Sequence, residues 1–294
     1  MTDKNLKVAL IGLGSMGMAM GARLLEQGVE VSAWNRSPEP VAALVSVGAT
    51  AIALEQTFQS PVVMSILSND AAALAVFSDD LLASAAPGTV HINMSTLSTD
   101  ASRVLAARHA KYNVTYIASP VLGRPTAIAA GKLLMITAGD KVAIDSVMPV
   151  LEVASAKVWF VGEDHEKANL VKLGLNYNLI HALQAIGESV ALVEAGGVDP
   201  LTFIEILTHT SFTGAVYTGY GPMIVNRKYE PAGFAMALGL KDIKLVEQAA
   251  EELDLKLPVA PVLREMFEIA LQDKDLADLD WSAIAEVTRQ RKVL

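Results

Sequence analysis

Six residues, Gly12-Leu13-Gly14-Ser15-Met16-Gly17, constrain this chain more than any other stretch. They stand between an apolar run, Lys7-Val8-Ala9-Leu10-Ile11, and a helical pattern that reaches towards Gly28. Glycines in that order at a strand end permit a tight turn, close approach of backbone to a pyrophosphate, and close packing of helix on strand. The helix N-terminus then presents unpaired N–H groups and a partial positive charge to an anion. A second β-rich run, Glu30-Val31-Ser32-Ala33-Trp34, follows at the spacing of a compact βαβ unit. The string is therefore read as a dinucleotide fingerprint rather than a structural turn.

The end of that second strand discriminates between dinucleotides. An NAD site usually places Asp or Glu there, about 20 residues past the glycines, to accept the ribose hydroxyls. This chain has Asn35-Arg36-Ser37 instead. No carboxylate stands there to repel a 2′-phosphate, and a guanidinium and a hydroxyl are placed to bind one. NADP is the expected cofactor. The alternative is that Arg36 is a solvated turn residue before Pro38.

Composition narrows the class. Of 294 residues 52% are hydrophobic, but only 5% are aromatic, so the surplus is aliphatic and alanine-rich and suits long packed helices. Such a surplus implies burial between subunits. A formal charge of −9 argues against a nucleic-acid surface, which needs clustered Lys and Arg. The absence of cysteine excludes disulfides, thiolate metal sites and a cysteine nucleophile. The five histidines, His91, His109, His165, His181 and His209, show no metal spacing, and no metal is expected. The polar opening Met1-Thr2-Asp3-Lys4-Asn5 does not read as a secretory signal. The apolar tract of residues 170–193 carries Lys172, Asn176 and Glu188, so it is read as a buried helix and not a membrane span. A cytoplasmic enzyme is the expectation.

The chain has two textures. Up to about residue 163, β-rich runs alternate with helical stretches: after the first two come residues 62–67, 89–93, 114–117, 133–137 and 157–160, with helices such as 99–111, capped at Ser98 or Thr99, and 142–151. This alternation predicts a doubly wound α/β sheet of Rossmann type, mostly parallel at first. From Glu166 to Gly196 runs one unbroken helical stretch, about 30 residues and roughly 45 Å at 1.5 Å per residue. Further helical patterns cover 201–209, 234–253 and 259–272, with a short last one near Trp281. The expected organisation is a dinucleotide-binding domain over 1–163 and an all-helical substrate and dimerisation domain over 164–294, begun by the long interdomain helix.

That helix presents Asn169, Lys172 and Asn176 at i, i+3, i+7, on one face among Leu170, Val171, Leu173, Leu175 and Leu179. One reading is a snorkelling lysine with amides bonded to facing backbone. The other is a proton donor with a hydrogen-bonding companion on a rigid helix. Elsewhere the signals are weaker. Tyr177, Phe212, Tyr217 and Tyr220 suit either a pocket or a core, and Asp278-Leu279-Asp280-Trp281-Ser282 reads as an acidic loop capping the last helix.

Taken together, the Gly12–Gly17 fingerprint, Asn35-Arg36-Ser37, Asn93-Met94-Ser95-Thr96, Ala118-Ser119-Pro120-Val121, Lys172-x-x-x-Asn176 and Lys241-Asp242 occur in an order that resembles the β-hydroxyacid dehydrogenases. That group includes 3-hydroxyisobutyrate dehydrogenase, tartronate semialdehyde reductase and glyoxylate/succinic semialdehyde reductases. The imine reductases and 6-phosphogluconate dehydrogenase are more distant relatives. The resemblance covers essentially the whole chain. It implies a catalytic Lys172, with Asn176 holding the reacting oxygen. It implies cofactor contacts from Gly12, Leu13, Gly14, Ser15, Met16, Gly17, Asn35, Arg36, Ser37, Leu67, Ser68, Thr96 and Lys241. Substrate contacts are implied for Pro120, Val121, Leu122, Gly123, Arg124 and Phe234, in a site between the domains. A homodimer through the helical domain is implied as well. For Asp242 a structural ion pair and a site role both stand open.

The chain also departs from the family. The substrate segment commonly reads Pro-Val-Ser-Gly-Gly, whereas here it is Pro120-Val121-Leu122-Gly123-Arg124. Leu122 brings no hydroxyl to a substrate carboxylate and makes the surroundings more apolar, and Arg124 either compensates as a cation or faces solvent. Of the usual paired asparagines after the lysine, Leu175-Asn176 keeps the second. The expected reaction is NADPH-dependent reduction of a small carbonyl compound, or oxidation of a 3-hydroxy acid, with Lys172 as general acid or base. An unperturbed lysine, pKa about 10.4, holds its proton too tightly for this role at neutral pH, and apolar surroundings lower that value. Two alternatives are carried: an imine reductase or reductive aminase acting on an apolar substrate, and a non-catalytic NADP-binding interaction protein.

Overall fold

Strands buried on both faces read as continuous apolar runs, and the first strand does so. The computed structural model describes residues 6–290, and the polar opening over residues 1–5 lies outside them. The strands are β1 (Lys7–Ile11), β2 (Glu30–Trp34), β3 (Thr50–Ala51), β4 (Val62–Ser65), β5 (Val90–Asn93), β6 (Thr115–Ala118), β7 (Val121–Leu122), β8 (Leu133–Thr137) and β9 (Ser155–Phe160). The first six form one parallel sheet in the order β3-β2-β1-β4-β5-β6. Successive strands are added to one side of β1 up to β3 and to its other side from β4 onwards, which makes the carboxyl ends of β1 and β4 the switch point where ligands bind in such parallel sheets.

Alternation along β1 shows why both faces are covered. Val8 and Leu10 join one core with Met20 and Leu24 of the helix Ser15–Glu26 and Val147 and Leu151 of the helix Lys141–Ala154. Ala9 and Ile11 join the other with Phe58, Phe77 and Leu105, the last from the helix Thr99–Lys111. That helix is capped as expected, the Ser98 hydroxyl accepting the Ala101 N–H at 3.0 Å.

Two features depart from the expected sheet. The runs at 133–137 and 157–160 do not extend it: β7, β8 and β9 form a separate three-stranded sheet, antiparallel at β7–β8 and parallel at β8–β9. The segment expected to be a substrate loop is accordingly part strand, with Leu122 opposite Leu134, and part helix, Pro125–Ala129.

The long helix spans Glu166–Ala195. The compact units of the chain divide between Lys172 and Leu173, inside this helix. Its opening turns belong with the sheet, because Ala168 packs in the second core and the Asn169 side-chain oxygen accepts the Leu97 N–H at 3.1 Å. From Leu173 onwards, Ile180, Leu183, Ile186 and Val190 form a helical stripe in a core with Ile243, Phe267 and Trp281. The second unit is helical, with Pro200–His209, Ala215–Val225, Met236–Glu252, Ala260–Gln272 and Ala285–Arg289. Among its described residues β-structure is limited to the isolated bridge between Ala235 and Asp280.

Candidate active site

The glycine turn has the shape its residues require. Gly12 has φ +89°, and a Cβ there would lie 2.3 Å from the Ile66 carbonyl oxygen. At Gly17 a Cβ would lie 2.0 Å from the Gly12 carbonyl oxygen, so helix and turn approach as only glycine allows. Around Gly14, by contrast, nothing lies within 4 Å of such a Cβ. Gly14 and Ser15 are exposed, Gly14 is the helix N-cap, and no side chain caps the first turn. An open approach to uncapped N–H groups at a sheet switch point fits a dinucleotide pyrophosphate.

Asn35 ties this turn to the end of β2. Its Oδ1 accepts the Leu13 N–H at 3.0 Å, and its Nδ2 donates to the Ser37 carbonyl at 3.0 Å. Arg36 and Ser37 are exposed, and the Ser37 hydroxyl makes no capping bond to the helix Pro38–Val45 that it precedes.

The loops after β4 and β5 are laced together. The Leu67 N–H donates to the Ser95 hydroxyl at 2.8 Å, and the Ser95 N–H donates to Asn93 Oδ1 at 3.0 Å. Ser95 thus fixes the segment carrying Leu67 and Ser68 against the one carrying Thr96, which is half-buried. Asn93 and Ser95 were recognisable only as parts of a motif, and their structural work is to hold its neighbours.

Beneath these loops lies a buried hydrogen-bonded chain. His109 Nδ1 sits 2.7 Å from the Leu105 carbonyl, so it carries the proton. His109 Nε2 then accepts from His91 Nδ1 at 2.8 Å, which leaves His91 Nε2 to accept from the Ser65 hydroxyl at 2.8 Å. Both imidazoles are fully buried and neutral in this arrangement. Burial holds the His91 pKa well below its usual value, with His109 adding to the effect, and burial lowers that of His109 to about 4. These two histidines are packing residues.

On the long helix Lys172 is 8% exposed and Asn176 2% exposed. Asn169 takes the structural reading, its amide occupied by Leu97 backbone. Asn176 Nδ2 donates to the buried Asp242 carboxylate, whose other oxygen lies 3.1 Å from Lys241 Nζ. Asp242 therefore joins Asn176 to Lys241. Leu122 and Arg124 are half-buried, as is Phe234, whose ring stands 4.4 Å from that of Trp281. Tyr220 accepts from Trp281 Nε1 at 2.9 Å, and Tyr217 packs against Phe212 at 5.0 Å. Among the described residues no group of three or more His, Cys, Asp or Glu could hold a metal ion, and no helix is long and apolar enough to cross a membrane.

Comparison with known proteins agrees with this geometry. Residues 7–162 match the family described as the NAD binding domain of 6-phosphogluconate dehydrogenase. Residues 166–288 match that described as NAD-binding of NADP-dependent 3-hydroxyisobutyrate dehydrogenase. The chain is 37% identical over 283 residues to an uncharacterized oxidoreductase, YfjR, of Bacillus subtilis, covering 95% of this chain and 98% of that one. It is 28% identical over 288 residues to glyoxylate/succinic semialdehyde reductase 1 of Arabidopsis thaliana, covering 97% and 99%. In fold it resembles a solved 3-hydroxyisobutyrate dehydrogenase of Mycobacterium tuberculosis with L-serine, at a TM-score of 0.88, 24% identity and 97% and 99% coverage.

Proposed function

We propose that this chain, which belongs to the β-hydroxyacid dehydrogenase superfamily, is an NADP(H)-dependent reductase of a small semialdehyde or 2-oxo acid, or works in reverse on the hydroxy acid. Family membership makes it an NAD(P)-binding oxidoreductase. The preference for NADP rests on Arg36 and Ser37, both exposed at the end of β2 where an NAD site would hold a carboxylate.

The observation that carries the reaction is Lys172 one helical turn before Asn176, both buried. NADP(H) supplies or accepts the hydride. As charge develops on the carbonyl oxygen, the Lys172 ammonium stabilises it and donates the proton. Asn176 fixes that oxygen, and Asp242, by accepting from Nδ2, prevents the amide from flipping. In the reverse direction the Lys172 amine takes the hydroxyl proton. Replacing Lys172 by Ala should lower kcat with glyoxylate or succinic semialdehyde by about 10²–10⁴ and leave NADPH affinity within about twofold. Near-normal turnover in that variant would remove the role given to Lys172.

A second reading is favoured by Leu122, which offers a substrate carboxylate no hydroxyl: imine reduction of an apolar substrate. Faster turnover of a cyclic imine than of any semialdehyde would select it. The helical unit is also read as the homodimerising part, since Leu175 and Leu192 of the long helix are 41% and 74% exposed. Light scattering after gel filtration checks that reading, and a monomer mass sinks it.

A further inference from the structure

We infer that Asp280 is a positioning residue for the substrate side of the site, holding Phe234 in place without touching a reacting atom. This rests on the reading of Phe234 as a substrate contact. Asp280 is fully buried, and a carboxylate is tolerated there only if hydrogen bonds replace its water. Its two oxygens divide the task. Oδ1 accepts the Ser282 N–H at 3.1 Å and the Ser282 hydroxyl at 2.7 Å, a local cap on the 3₁₀ turn Trp281–Ile284. Oδ2 reaches across the chain and accepts the N–H groups of Gly233 and Phe234, each at 3.0 Å.

Backbone pairing doubles this clamp. The Trp281 N–H donates to the Phe234 carbonyl at 2.8 Å, and the Met236 N–H to the Leu279 carbonyl at 3.2 Å. The indole of Trp281 then packs on the Phe234 ring, and its own N–H is anchored on Tyr220. Backbone and ring of Phe234 are thus both held by a segment 46 residues further along. Met236 also opens the helix that carries Lys241 and Asp242. A cap alone would need only one oxygen, which serine supplies as well as aspartate. The second oxygen is what fixes Phe234.

The two tasks separate experimentally. Asp280→Ser keeps a local cap but is too short to reach Gly233 and Phe234. It should raise KM for the carbonyl substrate about tenfold while kcat and NADPH affinity stay within about twofold. Ser282→Ala should lower Tm without moving KM. Phe234→Ala, with every Asp280 bond intact, should match the KM of Asp280→Ser. An unmoved KM in folded Asp280→Ser, an equal rise in Ser282→Ala, or no rise in Phe234→Ala overturns the inference. A second measurement needs no turnover: with Trp34 and Trp159 replaced by Phe, Trp281 should become more quenchable by acrylamide once Asp280→Ser releases Phe234. Unchanged quenching overturns the inference even if the protein reduces no carbonyl, an outcome that by itself would defeat only the proposed function.

Discussion

Asn35 Oδ1 accepts the Leu13 N–H at 3.0 Å, so the residue at the end of β2 also braces the glycine turn that follows β1. Adjacent parallel strands place their carboxyl ends side by side. The glycine turn and the segment from Asn35 to Ser37 therefore form one hydrogen-bonded unit. A change at Arg36, whose side chain is exposed, should alter cofactor choice without disturbing the turn.

Arg36→Ala accordingly should weaken NADPH binding about ten- to hundredfold, the effect of losing hydrogen bonds between charged groups. NADH affinity should stay nearly constant. Fluorescence titration with both cofactors checks this, and equal weakening of the two would separate Arg36 from the 2′-phosphate.

Asn176 and Asp242 should behave as a pair. Asn176→Ala is expected to lower kcat about a hundredfold, as loss of a donor to a developing oxyanion does. Asp242→Ala releases the amide and should lower kcat comparably, and the double variant should fall little further, since the two act through one contact. Strictly additive losses in steady-state kinetics would show that Asp242 acts separately.

The histidine chain makes stability depend on pH in a defined sense. Folded His91 and His109 have depressed pKa values, so below pH 6.5 the unfolded chain binds protons that the folded one refuses. The stabilisation is present above 6.5 and disappears as pH falls towards 4. For His109, a displacement from 6.5 to about 4 corresponds to about 3 kcal/mol. Melting temperatures measured across that interval should fall, and more steeply than in His109→Gln. Superimposable profiles would detach the effect from this chain.

What the sequence conveyed was mostly local. The ends of β1, β2 and β8 and of the helix Thr99–Lys111 match the apolar periodicity, and the long helix stops one residue short of its expected end. The helix Ala215–Val225 escaped because Gly219, Gly221 and Pro222 look like breakers. Gly221 is in fact buried in tight contact with Ile204, a Cβ there lying 3.1 Å from Ile204 Cδ1. The two residues of β3 are exposed and leave no apolar trace. Strand pairing is non-local too, so nothing in residues 133–137 distinguishes a further strand of the main sheet from the middle of a second one. The same limit applies at the site. Lys172 and Asn176 are legible through helical spacing, while the Asn176–Asp242 bond and the Asp280 clamp join residues 66 and 46 positions apart.

The second unit closes on an ionic cluster whose loss should be measurable. Glu286, 5% exposed, accepts from the Tyr229 hydroxyl at 2.6 Å and from Arg289. Arg289 Nε donates to Glu194 of the long helix at 2.8 Å, and Nη1 donates to the Ile224 carbonyl at 3.1 Å. Burial, with the Glu286 carboxylate beside it, holds the Tyr229 hydroxyl firmly protonated. Removing Arg289 leaves the buried Glu286 with only Arg227, whose Nε stands 4.0 Å away, so Arg289→Met should lower stability by about 3 kcal/mol, the low end for a broken buried pair. Adding Glu286→Gln removes the stranded charge and should recover part of that loss. Urea unfolding followed by near-UV circular dichroism distinguishes the cases, and a double variant no more stable than Arg289→Met would mean that packing, not charge, sets the cost.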